Sequence, residues 1–252
     1  MESRPPAEAA HRAVATRGSR RYTRATVPTR SPRGSLRHTP PAAAPRVHGQ
    51  DVRAYLERCA TGIERHRAYL TRLDAVLGDG DHGDNMTVGF AAIRDLLASY
   101  PPETGPGELL RAVGHRLATA VGGASGPLYG TALIEAGLVA GSEPALDWPL
   151  LGRMLEAAAT GLARRGRCRV GDKTILDTLR PAADAFVAGE TAQAALRPML
   201  LAAWRGMRAT RPLVARRGLA LRLGAHSVGH LDPGAVSCFI LLAAMVPAHG
   251  DG

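Results

Sequence analysis

From Asp74 to Asn85 the chain reads Asp-Ala-Val-Leu-Gly-Asp-Gly-Asp-His-Gly-Asp-Asn, so four carboxylates fall within about eleven residues. Left unpaired near a partly buried loop, such a set repels itself strongly. A hard divalent cation removes that cost, because carboxylate oxygens are the ligands that Mg2+ and Ca2+ prefer. Asp74 closes a stretch of helical spacing, whereas Asp79 and Asp81 alternate in a loop. Gly78, Gly80 and Gly83 would let that loop curl until several oxygens converge. An EF-hand reading fails on spacing: Gly83 falls too early, and no Glu stands twelfth from Asp79. A solvated acidic turn would explain the polarity, but not the interleaving of glycine with aspartate.

Three further segments share this glycine-rich character. Gly122-Gly-Ala124-Ser125-Gly-Pro-Leu-Tyr-Gly130 opens a helix, and backbone amides at a helix start are anion donors, although small residues at a tight helix crossing look the same. Gly166-Arg-Cys-Arg-Val-Gly171-Asp172-Lys173-Thr174 misses the P-loop pattern, since Asp172 separates the second glycine from the lysine and no strand precedes it. Lys173 is nevertheless the chain's only lysine among 32 Lys and Arg residues, which points to a contact that needs a compact ammonium, with chance as the plainer account. Gly229-His-Leu-Asp232-Pro233-Gly234 reads as a turn into a helix, with Asp232 as N-cap and Pro233 at the first helical position.

These segments need elements to carry them, and apolar spacing supplies eight helices. Val52, Tyr55, Leu56, Cys59 and Ile63, with Tyr69, Leu70 and Leu73, mark a first helix running into Asp74. Met86, Phe90, Ile93 and Leu97 mark a second, stopped by Pro101–Pro102. The others cover about 109–121, 128–140, 148–165, 174–187, 191–210 and 233–245, with Pro181 expected to kink the sixth. No run alternates with period two long enough for a convincing strand. Glycine-rich connections are expected at 78–84, 122–126, 166–172 and 218–234. The expected fold class is all-α, one core surrounded by eight helices.

Composition agrees. Aromatics make up only 4% of the chain, so Leu, Ala and Val must build the core, a mixture that favours helix. Ten Arg against Glu2 and Glu8 give residues 1–50 a charge of +8, which leaves +2 of the total +10 for residues 51–252. Residues 1–50 are read as a disordered, Arg/Pro/Ala-rich tail with some likeness to a transit peptide, and residues 51–252 as the folded domain. That nearly neutral domain lacks the basic and aromatic pattern of a nucleic-acid binder. The longest apolar run, Ala235 to Ala248, is interrupted and too short to span a bilayer. Cys59, Cys168 and Cys238 are sparse and lack metal spacing, as suits a reducing cytoplasm.

Together the stretches LDAVLGDGDHGDNM, GGASGPLYGTAL, GDKTILDTLRPAADAF and GHLDPGAVS resemble, in that order, the L subunit (the nucleotide-binding part) of dihydroxyacetone kinases, over about residues 51–248. The resemblance implies an eight-helix antiparallel barrel with nucleotide at one end. It implies that Asp74, Asp79 and Asp81 hold two Mg2+ ions bridging the phosphates of ADP or ATP. His82 and Asn85 would contact the nucleotide, Ala124 and Ser125 would lie near its phosphates and adenosine, Gly166 and Ile175 would line the base pocket, and Asp232, Pro233 and Gly234 would close it. The implied activity is phosphoryl transfer to dihydroxyacetone or a related hydroxy ketone held on a separate K subunit, with ATP or a phosphotransferase-system protein as donor. A homodimer is compatible with this reading. Bacterial fatty-acid kinases share the aspartate loop, but typically carry Thr where this chain has His82, and continue into further domains.

The chain departs from the family at Ile175, where Met is usual, and before the last motif. Where Gly-Arg-Ala-Ser-Tyr-Leu-Gly and then Glu-Arg-Ser are usual, it has Gly218-Leu219-Ala-Leu-Arg222-Leu-Gly224 and then Ala225-His226-Ser227. Leu219 replaces the arginine that would meet the nucleotide, with Arg217 and Arg222 as nearby substitutes. The alternative function is therefore a non-catalytic nucleotide-binding regulator.

Overall fold

The computed structural model of the chain describes residues 46–186 and 191–246. The expected disordered tail lies outside them as far as residue 45. Eight α-helices are present among the described residues: α1 (Gly49–Leu77), α2 (His82–Ala98), α3 (Pro106–Ala120), α4 (Ser125–Ala140), α5 (Trp148–Gly166), α6 (Leu176–Ala185), α7 (Ala192–Ala209) and α8 (Pro233–Ala243). Short connections make the first seven helices antiparallel neighbours, and a longer one leads from α7 to α8. Each packs on the next, and α8 returns to α1, so the ring closes. Its interior is an apolar cavity of about 540 Å³ to which every helix contributes, including Tyr55, Phe90, Leu110, Ala132, Met154, Leu179, Leu196 and Cys238. That is the expected barrel.

Helix packing here depends on missing side chains. A Cβ added to Gly130 of α4 would stand 2.6 Å from the Gly114 carbonyl oxygen of α3, which only a glycine permits. Gly83 plays the same part between α2 and α1: a Cβ there would run into the carbonyl of Arg67. It serves packing, therefore, and not the curl of the acidic loop expected of it.

Three expectations need correcting. The first helix begins at Gly49, so residues 46–50, counted with the tail, belong to the folded domain. A short antiparallel pair, β1 (Val47–His48) with β2 (Ala145–Leu146), was not legible because its two strands have two residues each. The connection at 218–234 is not all loop: Leu219–Ser227 forms a 3-10 segment, broken at Gly224, where φ is 51°. Pro181 does lie inside α6, and the expected end of that helix at Val187 falls outside the described residues.

Antiparallel alternation brings the starts of α2, α4, α6 and α8 to one end of the ring with the ends of α1, α3, α5 and α7. The other end carries the β pair and the Arg53 guanidinium, which donates to the carbonyls of Leu97 and Tyr100. All four glycine-rich motifs lie at the first end.

Candidate functional site

The acidic loop is built around Asp74. Its carboxylate, buried in the last turn of α1, accepts through one oxygen, Oδ2, from the amides of Gly80 (3.1 Å), Asp81 (3.0 Å) and His82 (3.1 Å). Charge-assisted bonds of this kind are the stronger ones, and three of them wrap the loop around one side chain. Gly80 completes the turn at φ 78°, a conformation that costs glycine little. One oxygen from each of Asp74, Asp79 and Asp81 can lie within 4.8 Å of the others, with Asp79 and Asp81 exposed. Partial desolvation and the neighbouring Asp79 and Asp74 carboxylates push the Asp81 carboxyl up, while the Asn85 amide favours its charged form. A cation between the three would reverse that balance. The donor set is all carboxylate oxygen, which fits a hard ion such as Mg2+.

His82 opens α2 and is buried. Its Nε2 meets Ser237 Oγ of α8 at 2.9 Å and its Nδ1 meets Ser125 Oγ of α4 at 3.2 Å. Burial holds the imidazole below its ordinary range, against the pull of Asp74, so the ring is neutral near pH 7. The Tyr129 hydroxyl extends the chain, 2.7 Å from Ser237 Oγ and donating to the Gly234 carbonyl at 3.1 Å. Both ring nitrogens of His82 are thereby engaged in holding three helix starts together. Tyr129 and Ser237 stand inside the GGASGPLYG and GHLDPGAVS stretches, yet nothing in their spacing announced the pairing.

The other expected site residues lie on the same rim. Asn85 rests on the backbone of Gly122, where an added Cβ would come 2.8 Å from the amide nitrogen. Ala124 is exposed and Ser125 half-buried at the start of α4. Gly166 approaches Leu128 of α4, 3.1 Å from its Cδ2 by the same construction. Ile175 is buried against Gly234, whose added Cβ would fall 2.7 Å from Ile175 Cγ1. Asp232 caps α8 by accepting from the Ala235 amide at 2.7 Å. Burial, with smaller contributions from Asp177 and Asp74, pushes its carboxyl up to about 7, although the Ala235 amide and Lys173 oppose the rise. Of the two arginines near Leu219, Arg217 is committed to Asp172, donating from Nε at 3.3 Å, and Arg222 is exposed.

The DAK2 domain family matches residues 76–247. This chain belongs to that family. The ADP-binding subunit DhaL of PEP-dependent dihydroxyacetone kinase 2 from Listeria innocua is 36% identical to this DAK2 chain over 186 residues, which cover 71% of the chain and 85% of the relative. The corresponding DhaL subunit of Escherichia coli is 33% identical over 198 residues, 77% of the chain and 94% of the relative. A solved dihydroxyacetone kinase of C. freundii, in complex with AMP-PNP and Mg2+, shares the fold at a TM-score of 0.61 with 24% identity, over 86% of this chain. The DAK2 chain spans only 38% of that kinase. The resemblance read from the four motifs is thus borne out as a DhaL-type chain of the dihydroxyacetone kinase family. Among the described residues no helix is long and apolar enough to cross a membrane.

Proposed function

We propose that the chain binds Mg-ADP or Mg-ATP at this rim and serves as the phosphotransfer subunit of a kinase for dihydroxyacetone or a related hydroxy ketone. The observation that carries the proposal is the convergence of Asp74, Asp79 and Asp81 on the end of the ring where four helices begin. Helix starts offer unpaired amides and partial positive charge to phosphate oxygens, and the carboxylates offer a seat for the cations that accompany them. The names of the DhaL relatives, ADP-binding subunits, support the nucleotide, and the C. freundii complex supports its pairing with Mg2+. Asp74, Asp79 and Asp81 would hold two Mg2+ ions, which neutralise charge on the phosphates and on the transferred group.

The protein's own part is positioning. Asp74 fixes the loop through three amides on Oδ2, which would leave Oδ1 as its ligand for a cation. Ala124 and Ser125 present the first amides of α4 to phosphate, while Ile175 and Gly166 would flank the base and Asp232–Gly234 would close over it. His82, neutral and doubly bonded, keeps α2, α4 and α8 in register and stands where the nucleotide would contact it together with Asn85. The acceptor would arrive on a separate K subunit, and the names of the relatives, PEP-dependent kinases and a PTS-dependent one, favour a phosphotransferase-system protein as donor over free ATP.

Calorimetry with Mg-ADP tests binding, and mixing with a K subunit and either phosphoryl source tests transfer. Binding that disappears in Asp79→Ala and in Asp81→Ala is the expected result. Binding unchanged in both would remove the basis of the site. A second reading, a nucleotide-binding regulator without transfer, is favoured by Leu219, which stands exposed where the family has arginine. Tight Mg-ADP binding with no product from either donor would select it.

A further inference from the structure

Lys173, the only lysine of the chain, is 1% exposed. Burying an ammonium is costly unless its protons find acceptors and its charge a counter-charge. Lys173 Nζ donates to the Thr210 carbonyl at 2.7 Å and to the His230 carbonyl at 2.5 Å. Burial pulls the Lys173 ammonium below its ordinary range, and the nearby Asp232 and Asp177 oppose that fall only in part. Its backbone is in the left-handed region, φ 63°, which a non-glycine residue adopts only where its surroundings hold it there.

Three separate segments meet at this ammonium: the loop leading into α6, the residue that ends α7, and the turn that leads into α8. Thr210 binds the third segment a second time, since its Oγ1 accepts from the Asp232 amide at 3.1 Å while donating to the Met207 carbonyl at 2.7 Å. Asp177 secures the loop from its other side by accepting from the amides of Gly171 (2.6 Å) and Thr174 (2.7 Å). Two residues beyond Lys173, Ile175 rests on Gly234. Lys173 and the Ile175–Gly234 contact together hold the α6 loop against the Asp232–Gly234 turn. The compact ammonium reaches carbonyls of two different segments from a buried position, where the bulkier guanidinium used everywhere else in this chain would need more room.

We propose that Lys173 is a positioning residue for the nucleotide base: it ties the α6 loop to the α8 turn, so that Ile175 and Asp232–Gly234 face one pocket at a fixed spacing. The proposal rests on the nucleotide reading given above, and it concerns the base, not the phosphates or the metal.

The test compares the full chain with Lys173→Met and Thr210→Val, by calorimetry with Mg-ADP and by displacement of a fluorescent ADP analogue with Mg-pyrophosphate. Lys173→Met is expected to weaken Mg-ADP by at least about ten-fold and Thr210→Val by about three-fold, the difference between losing a charged and a neutral hydrogen bond. Pyrophosphate affinity should stay within about two-fold in both, because it has no base to position. Undiminished Mg-ADP affinity in Lys173→Met would overturn the proposal, and so would a parallel loss of pyrophosphate and ADP, which marks general damage to the rim. Should Lys173→Met fail to fold, Lys173→Arg decides, because it keeps the charge and displaces the donors from the two carbonyls, and unchanged ADP affinity there overturns the proposal equally. If the wild-type chain bound no Mg-ADP, the proposed function and this inference would fall together. Wild-type binding with an indifferent Lys173→Met would sink this inference alone.

Discussion

Replacing Asp74 by alanine should damage the protein in a way that replacing Asp79 or Asp81 does not. Asp74 Oδ2 accepts three backbone amides, and the His82 amide among them is buried. A lost bond to a charged acceptor costs about 1.5–3 kcal/mol when the donor stays buried. The Gly80 and Asp81 amides are part-buried and can turn to water, so each should cost roughly half as much. Removing one of three like charges returns less than about 1 kcal/mol near the surface. The net expectation for Asp74→Ala is a loss of about 3–5 kcal/mol, a large part of the 5–15 kcal/mol typical of a domain. Asp79 and Asp81 are exposed, and their alanine variants should stay within about 0.5 kcal/mol of wild type in the absence of metal. Urea unfolding with EDTA present, followed by circular dichroism, makes the comparison. At a slope of about 2 kcal/mol/M, the midpoint of Asp74→Ala should fall by roughly 1.5–2.5 M. An Asp74→Ala midpoint equal to that of Asp79→Ala would refute the reasoning, because the loop would then be held by something other than its carboxylate. Addition of Mg2+ and ADP should raise the wild-type midpoint and leave those of Asp79→Ala and Asp81→Ala where they were.

Asp232, ordinarily at 3.8 and raised to about 7 in the fold, keeps in the native state a proton that the unfolded chain has released. Its contribution to stability is therefore complete below about pH 4 and is lost as pH rises towards 7. Asp232→Asn keeps an N-cap and removes the ionisation, so without metal or nucleotide it should match wild type near pH 4 and exceed it at pH 7.5 by on the order of 1–4 kcal/mol. Melting temperatures of the two chains that run parallel across this range would contradict the assignment. Gly234→Ala places a Cβ 2.7 Å from Ile175 Cγ1, so Ile175 must shift: calorimetry should find Mg-ADP weakened by about ten-fold, and equal affinity would place the base elsewhere. Gly130→Val meets backbone of α3, the Gly114 carbonyl at 2.6 Å, and should cost about 3 kcal/mol or more in denaturant. A stable Gly130→Val chain would show that α3 and α4 can separate.

Much of the ring was legible because helix spacing is a local property. Val52, Leu56, Cys59 and Ile63 repeat on one face of α1 whatever lies opposite, and all four are buried. Where local signals compete, boundaries moved. His82 and Gly83 look like loop beside three aspartates, yet they form the first turn of α2, because the Asp74 carboxylate collects the amides that lead into it. The β pair and the 3-10 segment had no clear local signal, the first because its strands are two residues long and about a hundred residues apart, the second because Leu219–Ser227 is short, bounded by Gly218 and broken at Gly224.

For the site, residue order alone established the chemistry on offer. Interleaved Asp and Gly between two helical stretches offered a cation seat, the small residues before α4 an anion donor or a tight helix crossing, and the Asp-Pro-Gly start of α8 a helix cap. Their assembly into one site was decided by the closed ring, because antiparallel alternation puts every second helix start at the same end. Only there could His82 reach Ser125 and Ser237, Tyr129 reach Gly234, and a lone lysine reach carbonyls from two other segments. Those contacts join residues between 37 and 155 positions apart in the chain, a range over which side-chain type is known but direction is not. Backbone direction is set by packing, and packing belongs to the folded chain as a whole.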